Sequence, residues 1–83
     1  MPTIVFAEGY KFQIFVQDHL PAHVHVFARG CEAIFYLMCA NGVVVLRNND
    51  GFKPSEIRTI RHLVQQHQTT LCLAWEEIHG DLG

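Results

Sequence analysis

The sequence offers little for thiol chemistry. Its three cysteines, Cys31, Cys39 and Cys72, are odd in number and contain no Cys-x-x-Cys pair, so neither a disulfide framework nor a thiolate zinc knuckle is indicated. The expectation is three reduced, buried or half-buried thiols in a cytoplasmic protein. Long apolar runs are missing as well: no stretch approaches the ~20 residues of a membrane span. The opening MPTIVFAEG has no basic region before it reaches an acid and a glycine, so no secretory signal is expected. Positive charge is scarce, with six Lys and Arg against eight Asp and Glu and a formal net charge of −2. That argues against an extended nucleic-acid groove, because affinity for phosphates grows with the number of cations that displace counterions. Any RNA or DNA contact has to be local, built around some of Lys11, Arg29, Arg47, Lys53, Arg58 and Arg61 and helped by histidines, which charge near neutral pH. GxGxxG, GxxxxGK, GxSxG and EF-hand patterns are all absent, which removes support for nucleotide, acyl-transfer and calcium chemistry.

What remains is a chain of 83 residues, 49% hydrophobic and 17% charged, enough for one folded domain over residues 1–83. Its first part is dominated by alternation of period two. Thr3 to Ala7 and Tyr10 to Val16 read as strands around a Glu8-Gly9 turn, and His23 to Ala28 and Cys31 to Leu37 as a second hairpin around Arg29-Gly30. Val43 to Arg47 reads as a fifth strand after an Asn41-Gly42 turn.

Past NNDGFKPSE the period becomes helical. Pro54 suits a first helical position, Glu56 the first turn, and Ile57, Ile60, Val64, His67, Leu71, Trp75 and Ile78 form one stripe. Thr69-Thr70 are weak helix formers, so a break near Gln68 is one option, although the unbroken phase favours a continuous helix. The fold class expected is α+β: an antiparallel meander of four or five strands with a C-terminal amphipathic helix packed on one face.

Histidine is conspicuous, with His19, His23 and His25 crowded into DHLPAHVHVFARG. On the third strand Val24, Val26 and Ala28 share one face, apolar enough to be the core, and His23, His25 and Phe27 share the other. The two imidazoles then stand roughly 6 to 7 Å apart, and a proline-held loop through Leu20-Pro21 folds His19 back toward them. Three readings stay open. One neutral and one protonated ring serve as base and acid in phosphodiester transesterification, with Arg29 or Arg47 stabilising the pentacovalent phosphate. Alternatively His19, His23 and His25 hold a divalent metal, with Glu32 as an oxygen ligand or as a partner behind a ligand. Or the rings only pack on Tyr36 and Phe15. A concave basic pocket around His23 and His25 would favour an enzyme; cover by Trp75 or a flat neutral surface would favour a binding module. His62, His67 and His79 on the helical segment read as structural, Trp75 as a core anchor, and Glu76, Glu77 and Asp81 as a solvated face and tail.

The segments MPTIV, HLPAHVHV, Gly30-Cys31-Glu32-Ala33, NNDGFKPSEI and AWEEIHG together resemble the small bacterial family known as domain of unknown function 4160, over nearly the whole chain. The family's pattern of a histidine, a short proline-containing spacer and HVH or HFH maps onto His19, Pro21, His23 and His25. The spacer usually carries two prolines, and Ala22 stands where the second would be. The resemblance implies a toxin-like component of a bacterial two-gene toxin-antitoxin module, a small ribonuclease using the histidine cluster and a cognate antitoxin-like partner. Its alternative is a noncatalytic module that docks the same partner through an exposed edge strand. Edges rich in Val and Phe also leave self-association open.

Overall fold

In a computed structural model, residues 4–80 are described, which leaves Thr3, placed in the first strand, and Asp81, placed in the tail, outside the described residues. Five strands follow in order: β1 (Ile4–Ala7), β2 (Tyr10–Gln13), β3 (His23–Ala28), β4 (Cys31–Tyr36) and β5 (Val45–Asp50). They pair antiparallel as a meander in the order β1-β2-β3-β4-β5. The β1–β2 and β3–β4 turns are two residues long, with both central residues at positive φ: Glu8 and Gly9 at 51° and 87°, Arg29 and Gly30 at 50° and 78°. That is the backbone of a two-residue hairpin turn whose twist matches the strands it joins. β5 begins two residues later than the sequence pattern suggests, because Val43 and Val44 still belong to the connection in which Asn41 and Gly42 donate their N–H groups to Met38 O.

Two helices, α1 (Pro54–Gln66) and α2 (Gln68–His79), cover one face of the sheet. Their buried residues include Ile57, Ile60, Val64, Leu71 and Trp75, most of the stripe expected from spacing. These meet Phe12, Val24, Val26 and Phe35 from the strands, with Ile14 and Leu37 just past the ends of β2 and β4, in one apolar cluster. Of the two options left open by the spacing, the break near Gln68 is the one found: at His67 the backbone leaves helical geometry at φ −101°, ψ 12°. Hydrogen bonds from His67 N to Leu63 O and from Leu71 N to His67 O carry the apolar phase across the bend, so periodicity alone could not reveal it. The bend starts α2 at Gln68, whose side-chain amide donates to Leu37 O at 2.5 Å. Gly80, in the left-handed region at φ 73°, closes α2 with its N–H on Glu76 O.

A second correction concerns the thiols. Cys39, in the β4–β5 connection, is disulfide-bonded to Cys72 of α2 across 33 residues, and Cys31 alone is free. Spacing could not show this, since the pair becomes adjacent only when α2 folds back over the sheet.

At the far end of the molecule Arg29 pairs with Glu56, which also accepts from the Tyr10 hydroxyl at 3.1 Å. The Arg29 guanidinium holds the Glu56 carboxyl below the usual carboxylate range. Because that folded value is depressed, the pair stabilises the fold above the ordinary carboxylate range, and the gain disappears as pH falls through the folded value. Glu56→Gln is therefore expected to melt below wild type at pH 7, with the gap closing in strong acid, as thermal melts across that range would register. Equal melting at pH 7 would show that the pair contributes nothing.

Candidate functional site

Opposite that end, the loop between β2 and β3 folds over the start of β3. Asp18 organises it: its Oδ2 accepts the Phe15 N–H at 2.9 Å, while its own N–H donates to Phe15 O at 3.1 Å. This short local turn, of the kind aspartate favours, aims the other oxygen, Oδ1, at the two histidines of β3. His25 Nε2 lies 3.1 Å from Asp18 Oδ1 and His23 Nε2 lies 3.5 Å from the same atom.

Each ring is held from behind as well. His23 Nδ1 lies 2.8 Å from Pro21 O, and His25 Nδ1 lies 2.9 Å from Glu32 Oε2 on β4. A carbonyl and a carboxylate oxygen only accept, so both Nδ1 atoms carry the hydrogen and both Nε2 atoms face Asp18. Each of the four imidazole nitrogens thereby has an oxygen within 3.5 Å. Phe15 sets its edge against His25 with ring centroids 4.8 Å apart, and the two imidazole centroids are 5.2 Å apart.

Parity holds for the valines, since Val24 and Val26 are fully buried against the helices. For His23 the expected open face is corrected: it is only 5% exposed and packs 5.3 Å from the Trp75 ring. The cause is its position as the first residue of β3, where the 17–21 loop and α2 close over the sheet end. His79 completes this corner, 4.1 Å from Trp75 by ring centroids and with Nε2 3.1 Å from Phe15 O.

The cluster opens on a cleft of about 250 Å³ lined by Asp18, His19, His23, His25, Tyr36 and Arg47, among others. His19 stands exposed on its rim, so the three histidines share one cleft, and the cluster of potential metal ligands consists of Asp18, His23 and His25. Arg47 reaches the cleft through a sheet irregularity. Ile34 pairs with Asn48 and Phe35 with Leu46, so Arg47 is the extra residue of a bulge, a device that re-aims a side chain. Its guanidinium lies 5.9 Å from the Tyr36 ring centroid. Arg29 is not there. Four residues beyond His25, roughly 13 Å along the strand, it is occupied by Glu56, and its proposed place beside a scissile phosphate is withdrawn.

The cleft is concave but mixed in charge, with Asp18 and Glu32 set against Arg47 and the histidines, and Trp75 seals one side of His23. Asp18 was the residue missed by sequence reasoning. Its one local signal was an acid directly before the proline loop, and solvent-exposed aspartates at turns give the same signal.

No curated protein and no solved structure matches the chain. The profile described as Domain of unknown function (DUF4160) matches residues 9–76, a span from the first hairpin turn to α2 that includes the whole Asp18-His23-His25 cluster, and the chain belongs to that family.

Proposed function

We propose that this chain is a small phosphodiesterase acting on RNA, the toxin-like member of a two-gene module whose protein partner covers the cleft. The observation that carries the reading is that Arg47 and His19 open onto the same small cleft whose floor is the imidazole–carboxylate cluster. His23 and His25 have their Nδ1 atoms held by Pro21 and Glu32 and their Nε2 atoms beside Asp18, so they act as a fixed floor rather than as proton carriers. Proton exchange falls to His19. In the step proposed, His19 accepts the proton of a ribose 2′-hydroxyl as its oxygen bonds to the adjacent phosphorus. The P–O5′ bond breaks, and the departing oxygen takes a proton from solvent. Arg47 stabilises the charge on the pentacovalent phosphate, a role suited to its planar fork of donors.

A second reading, a noncatalytic module that docks its partner through the outer strands, draws on the Trp75 ring over His23 and on Phe6 of edge strand β1, 74% exposed. One experiment separates the two. The protein is expressed with and without the neighbouring gene product, and growth arrest and cleavage of single-stranded RNA are scored for wild type, His19→Ala, Arg47→Ala and the pair His23→Ala with His25→Ala. His19 and Arg47 are exposed, so their removal should leave the fold intact. Cleavage is expected to fall about 100-fold or more in each single variant. Wild-type cleavage in both would end the catalytic reading and leave the binding module.

A further inference from the structure

We propose that Asp18, His23 and His25 form a binding centre for one divalent transition-metal ion of the zinc type. The inference concerns the cleft described above but does not require that RNA be its substrate. Its basis is the geometry of three ligand atoms, all within 4.8 Å of one another. For an ion bound at ~2.05 Å to nitrogen and oxygen in a tetrahedral arrangement, neighbouring ligand atoms lie about 3.3 Å apart. The two separations from Asp18 Oδ1, 3.1 Å to His25 Nε2 and 3.5 Å to His23 Nε2, bracket that value.

The arrangement behind the ligands points the same way. Metal-binding histidines commonly donate the hydrogen of their other nitrogen to a carbonyl or carboxylate, which fixes the tautomer and raises the basicity of the ligating nitrogen. Here His23 does so to Pro21 O and His25 to Glu32. In neutral rings of that tautomer both Nε2 lone pairs point at a carboxylate oxygen, a repulsive arrangement until a cation lies between them. A proton on one ring relieves one of the two contacts; a divalent ion relieves both.

The donor set has two nitrogens, one carboxylate and no thiolate. It therefore suits zinc, cobalt, nickel, manganese or iron in the divalent state rather than a soft ion. Three protein ligands leave one position toward the cleft, the mark of a centre that binds water or substrate rather than a closed structural site. Tyr36 and Arg47 border that open side. Glu32 is a positioning residue in this scheme: it orients His25 without touching the ion.

The test uses the full chain, stripped with chelator and dialysed against Zn(II) at pH 8, with metal content read by mass spectrometry and Co(II) used as a coloured probe. One ion per chain is expected, with a visible d–d band for Co(II) and a higher melting temperature. Asp18→Asn retains an oxygen to accept the Phe15 N–H, and it and His25→Gln are expected to lose affinity by 100-fold or more. Glu32→Gln should lose about 10- to 100-fold, and His62→Gln, altered on the exposed face of α1, nothing. Absence of stoichiometric metal on wild type, which needs no variant to fold, overturns the proposal. So does undiminished binding by both Asp18→Asn and His25→Gln. The RNA reading fails separately: stoichiometric metal without RNA cleavage upholds the centre and removes the substrate, whereas cleavage by a chelated protein that takes up no metal does the reverse.

Discussion

Trp75→Ala is expected to lose about 3–5 kcal/mol of folding stability, the range for emptying a fully enclosed large aromatic site. Trp75 is 0% exposed and is the bulkiest of the fully buried side chains among the described residues. A small domain has roughly 5–15 kcal/mol in total, and 1 kcal/mol moves its melting point by about 4–8 °C. The melt should therefore fall by about 12 °C or more. Circular dichroism is the appropriate probe, because Trp75 is the chain's one tryptophan and its fluorescence disappears with the substitution. The effect extends to the cleft, since the same ring packs on His23 and His79. Trp75→Phe makes a useful companion. The indole Nε1 is buried without a hydrogen-bond partner, so phenylalanine loses less volume and removes an unsatisfied polar atom, and it should cost less than half as much. A Trp75→Ala melt within a few degrees of wild type would mean that the indole does not anchor α2.

Opening the Cys39–Cys72 bond, by reduction or by replacing both residues with serine, should cost about 3.7 kcal/mol. That figure is the chain-entropy value for a closed loop of 33 residues. On a domain of this size it matches the loss from the tryptophan, although it acts mainly on the unfolded chain, whose freedom the crosslink restricts. The bond joins the β4–β5 connection to α2, next to the Gln68 amide that reaches Leu37 O. Reduction should therefore loosen α2 before the sheet, visible as early loss of amide protection in α2 by hydrogen exchange. Thiol titration of the denatured, unreduced protein is expected to find Cys31 alone, with Cys39 and Cys72 appearing after reductant. All three thiols reacting without reductant would restore the reduced state inferred from composition.

These two residues mark the border of what local pattern can reveal. Trp75 was legible as a core anchor because a helix repeats its buried face every three to four residues, and Ile57, Ile60, Val64 and Leu71 announce the same face. The partner of Cys72 was not, since no periodic property of a chain encodes which distant segment returns to touch it. The histidine site divides in the same manner. The alternation of β3 puts His25 and Phe27 opposite the valines, and Glu32, two residues past the Arg29-Gly30 turn, is close enough in sequence to be legible as a partner of His25. Asp18, the bulge that carries Arg47 inward, and the loss of Arg29 to Glu56 all depend on loop closure and on register between strands.

By itself the amino-acid order determined the α+β class, the succession of hairpins, the apolar stripe of the helices and the crowding of histidine at the start of β3. Each of these is written in contacts between residues within a turn or two of one another, or in the side-chain period of a single element. The bend at His67, the disulfide, the burial of His23 under Trp75 and the meeting of Asp18 Oδ1 with two Nε2 atoms were decided only in three dimensions. They arise where segments far apart in the chain compete for the same space, and the outcome there rests on packing and hydrogen-bond geometry that no single segment contains.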